Sequence, residues 1–386
     1  MAHAEGKQIL AWLRSRQDEM VDFIRQLASL ESPTDVPTAQ QPVFALLTEA
    51  LRQLRYRSIR IPGGQFGGQL FARPAERGRH RALQLLLGHC DTVWPPGTLK
   101  TMPIETKDGM LHGPGVYDMK TGLAQMIYAL RAMAALELKP TLTPVLFINS
   151  DEELGSRESS RYIRRLARLA NRCLVLEPSL GPTGRLKTAR KGVGRFSVTV
   201  HGKAAHAGLN PEAGASAILE LAHVIQKLFE LNDAEKGISI NVGTIDGGLR
   251  ANVVAPASNA AVDVRVLTQH DADVIERMIL HLQPTVPGAT LEIHGRIGRP
   301  PLEKTPANRR LWEIAVKLAA ELDLQLEEGT AGGGSDGNTA SLYTATLDGL
   351  GAVGDGAHAS HEHIDPGKLA ERCALLCLLL LAPAME

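Results

Sequence analysis

The sequence predicts an α/β protein: a main domain with a mostly parallel sheet flanked by helices, interrupted by an inserted two-layer α+β module. Three observations predict it. Solid apolar runs at 82–87, 144–150 and 173–177 alternate with segments of helical period, the pattern of buried strands joined by crossover helices. Near residue 190 the strands change character, and Gly192–His201 (GVGRFSVTVH) alternates apolar with polar, as a half-exposed antiparallel strand does. Helical and α/β character then resumes at Ala307. At 386 residues the chain is long for one core. The boundaries follow: a first domain over 1–187 and 302–386, and an insert over 188–301.

The elements justify themselves in order. Residues 5–30 read as one helix, with Ile9, Leu10, Leu13, Met20, Phe23, Ile24 and Leu27 near a 3.6 period. Two prolines in Ser29–Pro37 break it, and a second amphipathic helix covers about 39–55. Ile59 and Ile61 start a strand that turns at Phe66–Gly68 into Gln69–Arg73. Strand 82–87 leads to helix 121–136, strand 144–150 to helix 157–170, and strand 173–177 ends the run. Within the insert, strand 192–201, helix 211–230, strands 238–245 and 259–266, helix 271–282 and strand 290–296 give the order β-α-β-β-α-β. The Gly-rich AGGGSDGN (331–338) opens a helix near Thr339.

Composition narrows the function classes. The 42 basic and 42 acidic residues cancel, which removes the electrostatic case for nucleic acid. Cys90, Cys173, Cys373 and Cys377 show no paired-motif spacing beyond Cys373-x-x-x-Cys377, and i,i+4 cysteines in an apolar helix read as packing. The N-terminus lacks a signal-peptide apolar region, and Leu375–Leu381 is too short to span a membrane. A cytoplasmic protein with no membrane partner is expected.

The chemistry gathers at strand ends, where open α/β sheets place it. An apolar run stops at Gly88, and His89, Cys90 and Asp91 follow. His89 can ligate a metal with Asp91 orienting its ring, while Cys90 faces the other way along the strand. Asp118 follows a Gly-Pro-Gly turn. Glu152 and Glu153 end the second strand, Glu177 ends the third, and His358 lies in a late loop with His361 and His363 nearby. So many converging carboxylates would repel one another. Two divalent cations would balance the charges of Asp118, Glu153 and Glu177. A donor set of imidazole and carboxylate without thiolate suits Zn²⁺, with Co²⁺ or Mn²⁺ as alternatives. Such a pair activates water and polarises a carbonyl, and Glu152 is the candidate proton shuttle.

These motifs carry a resemblance. His89-Cys90-Asp91-Thr92-Val93, Gly113-Pro114-Gly115-Val116-Tyr117-Asp118-Met119-Lys120, Asp151-Glu152-Glu153 and Glu177-Pro178 resemble the M20 family of metallopeptidases and deacylases. So do His206-Ala207-Gly208, Asn252 with its following Val-Val-Ala-Pro, Asp263-Val264-Arg265, Gly332-Gly333-Gly334-Ser335-Asp336 and Gly356-Ala357-His358. The similarity runs in order over nearly the whole chain and leans to the carboxypeptidase G2 type. It implies one metal held by His89 and Glu177, a second by Glu153 and His358, and Asp118 bridging. His358 is chosen over His361 because the family pattern has a Glu four residues after the ligand, here Glu362. Glu152 would be general base, and Asp91 would orient His89. The insert would be a lid and dimerisation domain, making the protein a homodimer. His206 and Asn252 would stabilise an oxyanion, and Arg265 with the Gly332–Gly334 backbone, Gly333 and Gly334 included, would grip a substrate carboxylate. The implied activity is amide hydrolysis of a small peptide or N-acyl amino acid, releasing a glutamate-like C-terminal residue. The alternatives are an N-acyl-amino-acid deacylase of the acetylornithine deacetylase or succinyl-diaminopimelate desuccinylase kind, or a non-catalytic binding protein on the same scaffold.

Overall fold

A computed structural model describes residues 2–76 and 82–385. The chain forms two compact units, one of Met1–Thr188, Lys304–Thr330 and Ser335–Glu386, the other of Ala189–Glu303 with Ala331–Gly334. The short Gly-rich piece Ala331–Gly334 thus groups with the second unit, whereas Ser335 and Asp336 belong to the first.

The first unit is built on a six-stranded sheet. Its spatial order is Tyr56–Ile61, Gln69–Pro74, Thr143–Asn149, Leu83–His89, Ala170–Val175 and Ala345–Leu347. The last four strands run parallel, and the first two are antiparallel additions at one edge. From Leu83–His89 the chain crosses to Thr143–Asn149 on one side, then returns to Ala170–Val175 on the other. Leu83–His89 is therefore the strand where the winding direction reverses, and a crevice forms beyond its carboxyl end. All its residues are buried, and side-chain alternation splits them between two cores. Leu86 faces the helices Thr121–Ala135 and Leu369–Leu381, while Leu85 and Leu87 face Ile163, Ala167 and Ala340. Cys90 lies in the first of these cores, and Cys373 and Cys377 pack there too.

Helix Thr121–Ala135 can lie close to the sheet because its second residue is a glycine. A Cβ on Gly122 would come within 2.0 Å of the Leu176 carbonyl oxygen.

The expected helix over 5–30 is two helices, Ala2–Arg14 and Gln17–Ser29. At the break the Ser15 hydroxyl donates to the Trp12 carbonyl, the local competition by which serine loosens helices. The helix expected at 157–170 is shorter, Ser160–Ala167, and the strand expected at 173–177 is Ala170–Val175. A hairpin absent from the expectation, Glu105–Lys107 and Met110–His112, joins His363–Ile364 and Gly354–Asp355 in a small antiparallel sheet. Its pairs His363 with His112 and Ile364 with Leu111 lay the late 356–362 loop beside the 113–118 loop.

The second unit is a four-stranded antiparallel sheet, ordered Ser239–Gly247, Ala257–Val266, Gly192–His201, Thr290–Arg299. Helices Ala217–Glu230 and Gln269–Leu280 pack on it. Gly192–His201 buries Phe196, Val198 and Val200 and turns the intervening residues outward. Ser216 and Thr268 cap the two helices, each accepting a backbone N–H three residues on. No helix among the described residues is long and apolar enough to cross a membrane.

Candidate metal centre

Strand register builds the site. His89 pairs with Asn149, and Leu87 pairs with both Phe147 and Val175. The residues just past the three central strands therefore emerge side by side: Asp91, the 151–153 turn, and Glu177. Two loops reach across them, one carrying Asp118 and the other His358.

The side chains meet. His89 Nε2 is 3.2 Å from Asp118 Oδ1 and 3.4 Å from Glu177 Oε1. His358 Nε2 is 3.1 Å from Glu153 Oε2 and 3.5 Å from Asp118 Oδ2. Asp118 thus turns one oxygen toward each histidine. Two sets of ligand atoms, from His89, Glu152 and Glu177 and from His89, Asp118 and Glu153, each fall within 4.8 Å of one another. Glu152 and Glu177 are buried, and the His358 side chain is half exposed.

Asp91, fully buried, has its Oδ1 3.4 Å from His89 Nδ1 and its Oδ2 bonded to the Thr34 hydroxyl at 2.8 Å. It also accepts the backbone N–H groups of Glu152 (3.4 Å) and Glu153 (3.2 Å). The turn closes on itself through Gly155 N–H to the Glu152 carbonyl and Ser156 N–H to the Asp151 carbonyl, both 2.7 Å. Below it, Asp336 accepts from Asn149 Nδ2 at 2.6 Å and from the Ser156 hydroxyl. On the Asp118 side, Gly115 sits at φ 73°, and a Cβ there would come within 2.8 Å of Thr92 Cγ2. Lys120, buried, donates to the Leu27 and Leu30 carbonyls and to Ser32 Oγ, and burial pulls its ammonium down to about 8.

The protonation pattern reveals excess negative charge. Burial pushes the Glu153 carboxyl up to about 7. The Asp118 and Glu153 carboxylates push His358 up to about 10. Burial pulls His89 down, but Asp118, Asp91 and Glu177 outweigh it and hold the imidazole well above its usual range. Asp118 is raised by burial and lowered further by His358 and His89, ending well below the carboxylate range. Buried carboxylates partnered by imidazoles form a site whose charge divalent cations would balance. Glu153 Oε1 is also buried with no hydrogen-bond partner among the described residues. A nitrogen–oxygen donor set around an unsatisfied buried carboxylate oxygen fits divalent metal ions.

The remaining expected residues lie in the second unit. His206 and Asn252 sit on adjoining exposed loops, with Ala207 N–H donating to the Asn252 carbonyl at 3.0 Å and His206 bridged to Val253. Arg265 is held by Asp263 in a two-pronged pair, Nε to Oδ1 at 2.7 Å and Nη2 to Oδ2 at 3.1 Å. That pairing leaves Nη1, 3.5 Å from the Gly332 carbonyl, as the outer edge of its fork. The carbonyls of Gly333 and Gly334 accept from Arg190 Nη1 at 3.2 and 3.3 Å.

Sequence reading did not find Thr34 or Ser156, nor the use of Asp336 and Glu362. Glu362 entered only as a spacing marker, yet its carboxylate is buried and fully bonded. A buried acid beside a Gly-rich turn was the available signal.

A cluster of imidazoles and carboxylates at the reversal point of an α/β sheet defines a metal-dependent hydrolase. Residues 85–382 match peptidase family M20/M25/M40, and the chain belongs to it. It is 28% identical over 377 residues to carboxypeptidase G2 of Pseudomonas sp. (strain RS-16), covering 95% of this chain and 89% of that protein. It is 28% identical over 366 residues to the succinyl-diaminopimelate desuccinylase of Delftia acidovorans, covering 89% and 92%. The fold is similar to that of aminopeptidase PepT from Bacillus cereus, with a TM-score of 0.79 at 21% identity over 94% of this chain and 98% of that one.

Proposed function

We propose that this chain is a dinuclear metallo-carboxypeptidase that hydrolyses the amide of a small peptide or N-acyl amino acid and releases a glutamate-like residue. The observation that carries the reading is Asp118, whose two oxygens divide between His89 and His358. One position would be held by His89 and Glu177, the other by Glu153 and His358, with Asp118 shared. Two divalent cations there, Zn²⁺ in our reading and Co²⁺ or Mn²⁺ otherwise, would polarise the scissile carbonyl and acidify water.

The chain's own groups do the rest. Glu152 takes the proton of the attacking water on its carboxylate and returns it to the leaving nitrogen. Asp91 holds the imidazole of His89 and the peptide groups that carry Glu152 and Glu153, so ligand and base keep a fixed separation. His206, Asn252, Arg265, Gly333 and Gly334 are the substrate-contacting candidates, on the family resemblance. The likeness to carboxypeptidase G2 over 95% of this chain supports a released glutamate. The likeness to a desuccinylase supports N-acyl-amino-acid deacylation on the same residues.

A homodimer built on the insert acting as lid is supported by apolar side chains exposed on the second unit: Leu209, Leu249 and Ile245 at 80%, 71% and 67%. A cytoplasmic setting is supported by four buried cysteines that are all unpaired. The experiment is a panel of acyl-glutamates, other N-acyl amino acids and dipeptides, assayed with and without chelator on metal-reconstituted protein. Chelator-sensitive release of glutamate is the expected result. Turnover only of N-acyl diamino acids would favour the deacylase, and no turnover with any metal would overturn the hydrolase.

A further inference from the structure

Glu362 is fully buried, and no lysine or arginine side chain donates to it among the described residues. Its carboxylate is nevertheless saturated. Oε1 accepts the backbone N–H groups of Tyr117 (2.9 Å) and Asp118 (3.0 Å). Oε2 accepts the backbone N–H of Gly115 (2.9 Å) and the indole N–H of Trp94 (2.8 Å). Its own carbonyl accepts from Gly113 N–H at 3.2 Å. Four donors converge on this carboxylate, a group that when ionised only accepts and offers about four lone-pair sites. Uncharged substitutes do not reproduce this, since the amide of glutamine would point its own N–H₂ at two N–H donors.

Its position in the fold gives the arrangement a purpose. Glu362 closes the loop that carries His358, with its N–H bonded to the Ala359 carbonyl at 2.9 Å. The groups it grips belong to the loop that carries Asp118, including the peptide N–H of Asp118 itself. It ties the loop of Asp118 to the loop of His358 through backbone N–H groups.

We propose that Glu362 is a positioning residue that sets where the Asp118 carboxylate stands between His89 and His358, and so sets the affinity of the centre for its metal ions. This rests on the dinuclear reading above. Removing such a support typically weakens metal binding by about 10- to 100-fold.

The test compares Glu362→Gln and Trp94→Phe with Leu375→Ala, a core truncation on the helix Leu369–Leu381 that removes none of the hydrogen bonds at Glu362. Zn²⁺ affinity is read by competition with a chromogenic chelator, and folding by the melting temperature of the metal-free proteins. The inference expects Glu362→Gln to bind Zn²⁺ at least tenfold more weakly and to change the visible spectrum of the Co²⁺-substituted protein. Trp94→Phe, which removes one donor of four, should show a smaller shift in the same direction. Leu375→Ala should lower the melting temperature while keeping wild-type affinity. Wild-type affinity in Glu362→Gln, or equal weakening in Leu375→Ala, overturns the role. Metal binding is scored without substrate, so failure of the hydrolysis panel leaves this outcome readable. A wild-type protein that binds no divalent metal would sink both.

Discussion

Asp91 Oδ2 accepts a hydrogen bond from the backbone N–H of Glu153 at 3.2 Å, while Oδ1 of the same carboxylate lies 3.4 Å from His89 Nδ1. One acid therefore serves two strand ends. In Asp91→Asn the amide nitrogen must face either an imidazole or a peptide N–H. An unsatisfied buried group of this kind costs about 1–3 kcal/mol. The expected outcome is a lower melting temperature with activity reduced about 10²-fold or more, as misplacement of a catalytic group produces. Steady-state kinetics on the folded fraction checks it.

Glu152→Gln keeps the shape of the side chain and removes the proton acceptor. Metal content should stay at the wild-type value while kcat falls about 10²- to 10⁴-fold, the usual worth of a general base. Elemental analysis alongside kinetics separates this from loss of a ligand. A variant with its metals and its activity intact would falsify the assignment.

Asp118→Asn should lower metal stoichiometry below that of wild type, because both proposed metal positions would share that carboxylate, which faces His89 and His358. His358→Ala should remove one ion and spare the His89 and Glu177 position. Equilibrium dialysis with elemental analysis distinguishes the two patterns.

Glu328 supplies a pH dependence away from the site. Its carboxyl is raised by burial but lowered further by the Thr188 hydroxyl, Arg309 (2.8 Å) and Lys304 (3.1 Å), and sits at about 2. A depressed folded value means the stabilisation is whole above the ordinary carboxylate value of 4.5 and is lost as pH falls toward 2. Glu328→Gln should flatten that part of the stability curve, with a cost near neutral pH within about 1 kcal/mol, since its partners Arg309 and Lys304 are substantially exposed. Denaturant titrations at a series of acidic pH values read the slope.

Gly122→Ala should be costlier than its small volume suggests, because its Cβ would lie 2.0 Å from the Leu176 carbonyl oxygen, which cannot rotate away. Overpacking of this kind costs about 1–3 kcal/mol. Chemical denaturation measures it.

The alternating strands and helices were legible in the sequence because their apolar runs, such as Leu83–Leu87 and 144–148, carry the signal themselves. The hairpin at Glu105–His112 was not, since Glu105, Thr106 and Lys107 are all exposed and show no period. Ser15 breaks the first helix through one hydroxyl, which leaves the apolar spacing intact. At the site, His89, Asp118, Glu152, Glu153 and Glu177 stood out as acids and a histidine at strand ends and a turn, and His358 was singled out by the family resemblance. Asp91 beside His89 was legible as well, but the peptide N–H groups that Asp91 and Glu362 hold were not, because every sequence contains peptide groups and only the folded chain brings them within reach.

The late position of His358 has a consequence for biosynthesis. A ribosome that has released the chain only through residue 350 has made four of the five proposed ligands and none of the strands Gly354–Asp355 and His363–Ile364 that seat the fifth. On that proposal, the position of His89 and Glu177, with Asp118, would be complete in sequence before the position that also needs His358. On the proposed ligand set, the position that needs His358 would be completed only after the strands Gly354–Asp355 and His363–Ile364 have been made.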